Sequence, residues 1–220
     1  MHSRCVGRRD PAWARAVLPR LAAAGMCLWA LAAQADARLP PIEPQQYDAE
    51  QRQAADAFVA ARHAPVFGPF EPLMYSPQVM TLARGMGDYL RYHSALGNTL
   101  SELAILITAR AWTQSYEWSV HAPIAQRAGI GADVIAAIGD GRRPSTLSDD
   151  EDIVYAFCTE LNHTQRVSQR TFERAEQRFG KKGVVDLTGI IGYYTFLAMQ
   201  LNVAQYPTPP NAARLARWPE

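Results

Sequence analysis

Four polar side chains interrupt an otherwise apolar stretch of the chain: Arg110, Gln114, Glu117 and His121. At about 100° per residue these positions share a narrow sector of one helix face. A carboxylate four residues before a histidine is within reach of the imidazole. That contact selects the ring tautomer and stabilises the imidazolium, so the other ring nitrogen can carry a proton near neutral pH. Buried charge costs several kcal/mol unless it is paired or solvated. The stripe therefore demands a partner or a pocket. A surface Glu–His pair worth about 0.2–0.5 kcal/mol, or a satisfied buried network, would account for the same residues without any chemistry.

Glu102 is the next carboxylate upstream, in the run Thr99-Leu100-Ser101-Glu102. This is a capping-box pattern, which uses the glutamate at a helix end without catalysis. In one straight helix roughly 28 Å would separate Glu102 from His121, at about 1.5 Å per residue. The two can cooperate only if the chain turns between them, and Thr113-Gln114-Ser115 is the place. Ser115 would then cap a second helix, with Glu117 in its first turn where the dipole favours a carboxylate.

The elements that must position these groups are helical throughout. Asp48 to His63 carries Ala54, Ala57, Phe58 and Ala61 on one face. Ser76-Pro77 starts a helix to about Tyr92, and Ser148-Asp149-Asp150-Glu151 is a second capping box. Gly129 and Gly141 stop segments, and Gly180 ends Ser168 to Phe179. A long apolar helix follows from about Lys182 to Ala204. No segment alternates with period two for long, so the fold class is all-α. Two helices lack an obvious polar face. The central one has Leu100, Leu103, Leu106, Trp112 and Trp118; the last has Val184, Leu187, Ile190, Phe196 and Leu201. One chain of this size encloses about one such helix, which predicts an obligate oligomer.

Composition narrows the function classes. Lys and Arg total 22 against 21 Asp and Glu, a net charge of +1. That balance offers no electrostatic footprint for nucleic acid. There is no Cys-x-x-Cys pair and no His/Asp/Glu grouping with metal-ligand spacing, so neither a metal nor a cofactor is expected. Residues 1–35 read as a secretory signal peptide. Arg4, Arg8, Arg9, Arg15 and Arg20 precede an apolar run from Leu21 to Ala33, and Ala33-Gln34-Ala35 satisfies signal peptidase. The run falls short of the ~20 apolar residues of a membrane span; an uncleaved anchor is the alternative. Cleavage would leave one cysteine, Cys158, placed as core on an amphipathic helix, and a periplasmic or secreted protein without a stable membrane anchor.

The run Glu102-Leu103-Ala104-Ile105-Leu106-Ile107-Thr108-Ala109-Arg110, followed by Tyr116-Glu117-Trp118-Ser119-Val120-His121, resembles the carboxymuconolactone decarboxylase family. Gly141-Arg142-Arg143-Pro144, Val185-Asp186-Leu187-Thr188-Gly189 and Gly192-Tyr193-Tyr194-Thr195 are similar to it as well. The resemblance implies an alkylhydroperoxidase D-like helical bundle, oligomeric, over residues 47–206. A proline-rich linker would precede it at 36–46 and an extended tail would follow at 207–220. In the peroxidase branch of that fold a glutamate precedes Cys-x-x-Cys and a histidine four residues later. Glu102 and His121 keep those places, but Gln114 and Glu117 occupy the cysteine positions and Tyr116 replaces an intervening histidine. Neither Gln nor Glu supplies a thiolate, so dithiol peroxidase chemistry is excluded.

The decarboxylase branch implies cofactor-free, lyase-type acid/base chemistry on a small carboxylated or lactone substrate. His121 would be the general acid or base, Glu117 its orienting carboxylate, and Glu102 a further catalytic candidate. Arg110 or Arg142 would take the substrate carboxylate. Gln114, Trp112, Tyr116 and Trp118 would complete the binding site. Two alternatives stand beside it: a non-catalytic periplasmic binding or assembly protein on the same fold, and single-thiol redox chemistry at Cys158, which burial opposes. If residues 1–35 are an export signal, intact mass analysis of the exported chain finds Asp36 at its N-terminus; Met1 retained in a membrane fraction contradicts that assignment.

Overall fold

The computed structural model describes residues 37–217. The proposed export signal lies outside them. After a 3-10 turn at Pro44–Gln46, eight α-helices follow: α1 (Ala49–Arg62), α2 (Phe70–Leu73), α3 (Pro77–Tyr92), α4 (Gly97–Ala111), α5 (Ser115–Arg127), α6 (Ala132–Gly139), α7 (Asp149–Thr164) and α8 (Gln169–Ala204). There is no strand among the described residues.

Local chemistry sets most of these boundaries. Asp48 closes a capping box with Gln51 at α1, and Ser148 closes one with Glu151 at α7; each satisfies two otherwise orphaned N–H groups. α3 starts with Pro77 at its first turn, although Ser76 makes no capping bond. Gly129, at φ 103°, follows the end of α5. Gly180, at φ 70° and ψ 174°, breaks α8 into two helical segments, so the helix pattern that stops at Gly180 is what the backbone does.

The Thr99–Glu102 capping box does not form. α4 begins two residues earlier, at Gly97, and Thr99 instead donates from Oγ1 to the carbonyl of Ala128 at 2.7 Å. Glu102 is thereby left inside the helix rather than at its end. Every residue from Ser101 to Arg110 is buried. α4 packs against α3, α5, α6, α7 and α8 and is the axis of the bundle. Its lack of a polar face is explained within one chain. α8 is different: Val185, Met199 and Val203 are exposed.

The expected single stripe from Arg110 to His121 is divided between two helices. Trp112 ends α4, Thr113 turns the chain at φ 49°, and α5 begins at Ser115. Gln114, not Ser115, is the N-cap: its Oε1 accepts the Tyr116 N–H at 2.8 Å. Ser115 spends its hydroxyl on the tail, where Oγ accepts from Leu215 N at 3.1 Å.

Near the N-terminal side of the bundle three phenylalanines lock together. Phe58 meets Phe67 and Phe70 edge-on at 5.6 and 5.1 Å between ring centroids, and Phe58 is fully buried. Truncating a buried phenylalanine costs about 3–5 kcal/mol. Phe58→Ala should lose that much in urea unfolding; a loss below about 1 kcal/mol would mean the cluster is not cohesive.

Candidate active site

Glu102 and His121 meet across the α4–α5 turn. His121 Nδ1 and Glu102 Oε2 are 2.7 Å apart, and both side chains are buried. A carboxylate on Nδ1 fixes the ring's orientation and leaves Nε2 for another partner. The other Glu102 oxygen lies 3.6 Å from the Arg91 guanidinium, which α3 delivers. Tyr194 of α8 packs edge-on to the imidazole at 5.1 Å, and Tyr193 packs edge-on to Tyr194. The imidazole is thus held by a carboxylate on one side and an aromatic ring on another.

His121 forms part of the wall of a cavity of about 60 Å³, several times the ~10–15 Å³ needed for one water. Arg62, Arg91, Tyr116, Glu117 and Tyr194 share that wall, and Phe67 and Phe70 close it on the α1–α2 side. Glu102 is not in the wall. It touches the imidazole and acts through it.

Glu117 does not pair with His121. Both of its carboxyl oxygens are buried without a hydrogen-bond partner, although it lines the cavity. Burial pushes its pKa well above the ordinary value of 4.5, because desolvation penalises the charged form. The dipole at the N-terminus of α5 acts in the opposite direction, worth up to ~2 kcal/mol, and desolvation wins. Desolvation thus favours the protonated form of this carboxyl on the cavity wall. The orienting carboxylate expected of Glu117 is supplied by Glu102, because the α4–α5 turn brings Glu102 to Nδ1 and leaves Glu117 on the cavity side.

Of the remaining sequence candidates, Tyr116 reaches the cavity. Gln114 is occupied structurally: beyond its cap, Nε2 donates to Asn202 Oδ1 of α8 at 2.8 Å, and Asn202 donates back to the Trp112 carbonyl. Trp112 donates from Nε1 to Thr195 on the outside of the bundle. Trp118 packs over Gly139, where a Cβ would come within 3.0 Å of the indole, and faces α6. Arg110 is buried, but NH1 donates to the Ala216 carbonyl at 2.7 Å. Arg142 is exposed and paired with Asp140. Neither arginine lines the Glu117–His121 cavity.

The cationic groups that do line it are Arg62 and Arg91. Both stand at helix ends, where a basic residue ordinarily complements the dipole, so nothing in their spacing distinguishes them. Arg62 is clamped by Asp88 at 2.7 Å and lies over the Phe70 ring at 4.8 Å. Cys158 is fully buried in α7, and burial pushes its thiol pKa far up. No group of three or more His, Cys, Asp or Glu side chains gathers among the described residues.

No family model matches this chain, and no curated protein sequence matches it. Its fold does match solved structures. A core structure of alkylhydroperoxidase AhpD, an uncharacterised peroxidase-related protein from Ralstonia eutropha JMP134, aligns with a TM-score of 0.64 at 14% identity, covering 79% of this chain and 93% of that one. A cysteine-to-alanine variant of the debrominase Bmp8, in complex with 2,3,4-tribromopyrrole, aligns with a TM-score of 0.62 at 12% identity, covering 78% and 91%. A protein of unknown function from Agrobacterium tumefaciens, described as an AhpD antioxidant defence protein, aligns at 0.51 and 14% identity, covering 62% and 94%. At these identities the likeness speaks to the fold alone: the chain is an all-α protein with the alkylhydroperoxidase D-like fold.

Proposed function

We propose that the protein is a cofactor-free acid/base catalyst of lyase type acting on a small carboxylated or lactone substrate. The observation that carries this reading is His121, held from behind by Glu102, sharing one cavity wall with a buried, unpartnered Glu117. An imidazole oriented by a carboxylate, beside a desolvated carboxyl, offers the site a proton carrier and a hydrogen-bonding group. His121 exchanges a proton with substrate carbon through Nε2, and Glu102 is its positioning residue. Glu117 donates a hydrogen bond to the carbonyl oxygen on which negative charge develops. Arg91 and Arg62 hold a retained carboxylate, and the aromatic walls exclude water.

Export after Ala35 and assembly into a homo-oligomer belong to the same proposal. Val79, Leu82, Met86 and Tyr89 are exposed at helical spacing along α3, a face that a second copy of the chain would cover. A thiol mechanism has no support from Cys158, whose burial makes it unreactive.

The test is a screen of lactones and of β-keto or unsaturated dicarboxylic acids with wild type, His121→Ala and Glu117→Gln. Turnover should vanish in His121→Ala and fall by about 10²–10⁴ in Glu117→Gln, with helical content retained in both. Turnover that survives His121→Ala ends this mechanism. Binding of these acids without turnover in wild type would favour a ligand-binding protein.

Glu117 also makes stability depend on pH. Its folded-state pKa lies above that of the unfolded chain, so the folded state holds the proton longer. The stability this confers is complete below the unfolded value of about 4.3 and is lost as pH rises through the folded one. The amide of the Glu117→Gln variant stays neutral at every pH. The melting temperature of that variant relative to wild type should therefore climb as pH rises above about 4. A difference that is flat with pH would show that Glu117 is not desolvated.

A further inference from the structure

A second cleft lies at the C-terminal end of α4 and shares no wall residue with the candidate active site. Arg110 and Ile107 of α4, Arg142 from the loop after α6, and Tyr155, Thr159 and His163 of α7 line it, enclosing about 90 Å³. No carboxylate is in its wall among the described residues. Arg110 is the unusual member. Its guanidinium is buried, it forms no ion pair among the described residues, and its one hydrogen bond goes to a backbone carbonyl. A guanidinium carries five N–H donors in a rigid fork, and a buried cation is costly unless something of opposite charge meets it. The last turn of α4 offsets part of that cost through the helix dipole, and only part.

The remaining chemistry of the cleft is of one kind. Arg142 adds a second guanidinium; its one partner, Asp140, forms an exposed pair of the sort worth about 0–1 kcal/mol. Arg143, paired with Asp152, stacks over Tyr155 at 5.2 Å and holds that ring in place. Tyr155 and Thr159 bring hydroxyls, and His163 brings a ring nitrogen. Two guanidinium forks, two hydroxyls and an imidazole around a space of a few water volumes suit an anion with several acceptor oxygens.

We propose that this cleft is a binding site for a small tetrahedral oxyanion of the phosphate type, separate from the Glu117–His121 cavity. Arg110 is its buried anchor and Arg142 its exposed arm. The ligand supplies the negative charge that Arg110 lacks among the described residues.

Inorganic phosphate is the probe, titrated calorimetrically into the wild-type protein and into Arg110→Gln, Arg142→Gln and His121→Ala. One phosphate should bind per chain, and sulfate should compete for it. Arg142→Gln, a surface change that leaves the fold alone, should weaken binding by about tenfold or more, as expected for lost charge-assisted hydrogen bonds. Arg110→Gln should remove binding, and His121→Ala should leave it unchanged. Failure of phosphate to bind at tens of millimolar overturns the proposal. So does binding that is indifferent to Arg142→Gln, or that disappears in His121→Ala, which would assign the anion to the other cavity. Because the lyase screen reads turnover and this titration reads phosphate, either reading can fail without the other.

Discussion

The structure turns on one contact, the carboxylate of Glu102 against the Nδ1 of His121. Glu102 sits in the middle of the most buried helix of the protein, where an unpaired charge would cost several kcal/mol. Its partner must come from another helix at hydrogen-bond distance, and α5 provides it by doubling back immediately. The turn that permits this is tight. It takes a left-handed Thr113, a Gln114 that caps α5, and an Asn202 on α8 that ties both Gln114 and the Trp112 carbonyl in place. The hydrogen bonds at the edge of the bundle thus set the position of an imidazole in its interior.

Much of this is legible in the sequence, and the failures have physical causes. The helices and most of their ends follow from caps, prolines and glycines, all of which act locally. The need for a turn near Thr113 also follows, from the length of an uninterrupted helix. Spacing points to Glu117 as the partner of His121 because i,i+4 is a local rule. The real partner lies 19 residues away, and only the angle between two helices decides that. Spacing likewise makes Glu102 part of a cap begun at Thr99. α4 instead starts at Gly97, so Thr99 lies inside the helix and donates its hydroxyl to the Ala128 carbonyl, a contact made across the fold. Arg62 and Arg91 carry no signal at all, since surface arginines at helix ends are common and only tertiary packing turns these two inward.

Gln114 and Glu117 at the start of α5 set what that helix N-terminus can do. A helix N-terminus favours anions and in other settings activates a thiolate. Here the first-turn carboxyl is desolvated, and burial raises its pKa against the pull of the dipole.

The C-terminal segment adds a constraint on the order in which the molecule is assembled. Leu215 and Ala216 bond Ser115 and Arg110, partners 100 and 106 residues earlier in the chain. Synthesis delivers α4 and α5 long before the segment that satisfies them. During that interval the Arg110 guanidinium and the Ser115 hydroxyl at the α4–α5 junction must be served by water. The junction that aligns Glu102 with His121 is thus sealed by backbone made 100 residues after Ser115. A nascent chain can form its bundle before that point but not its finished junction, and a change in this segment would act on the interior.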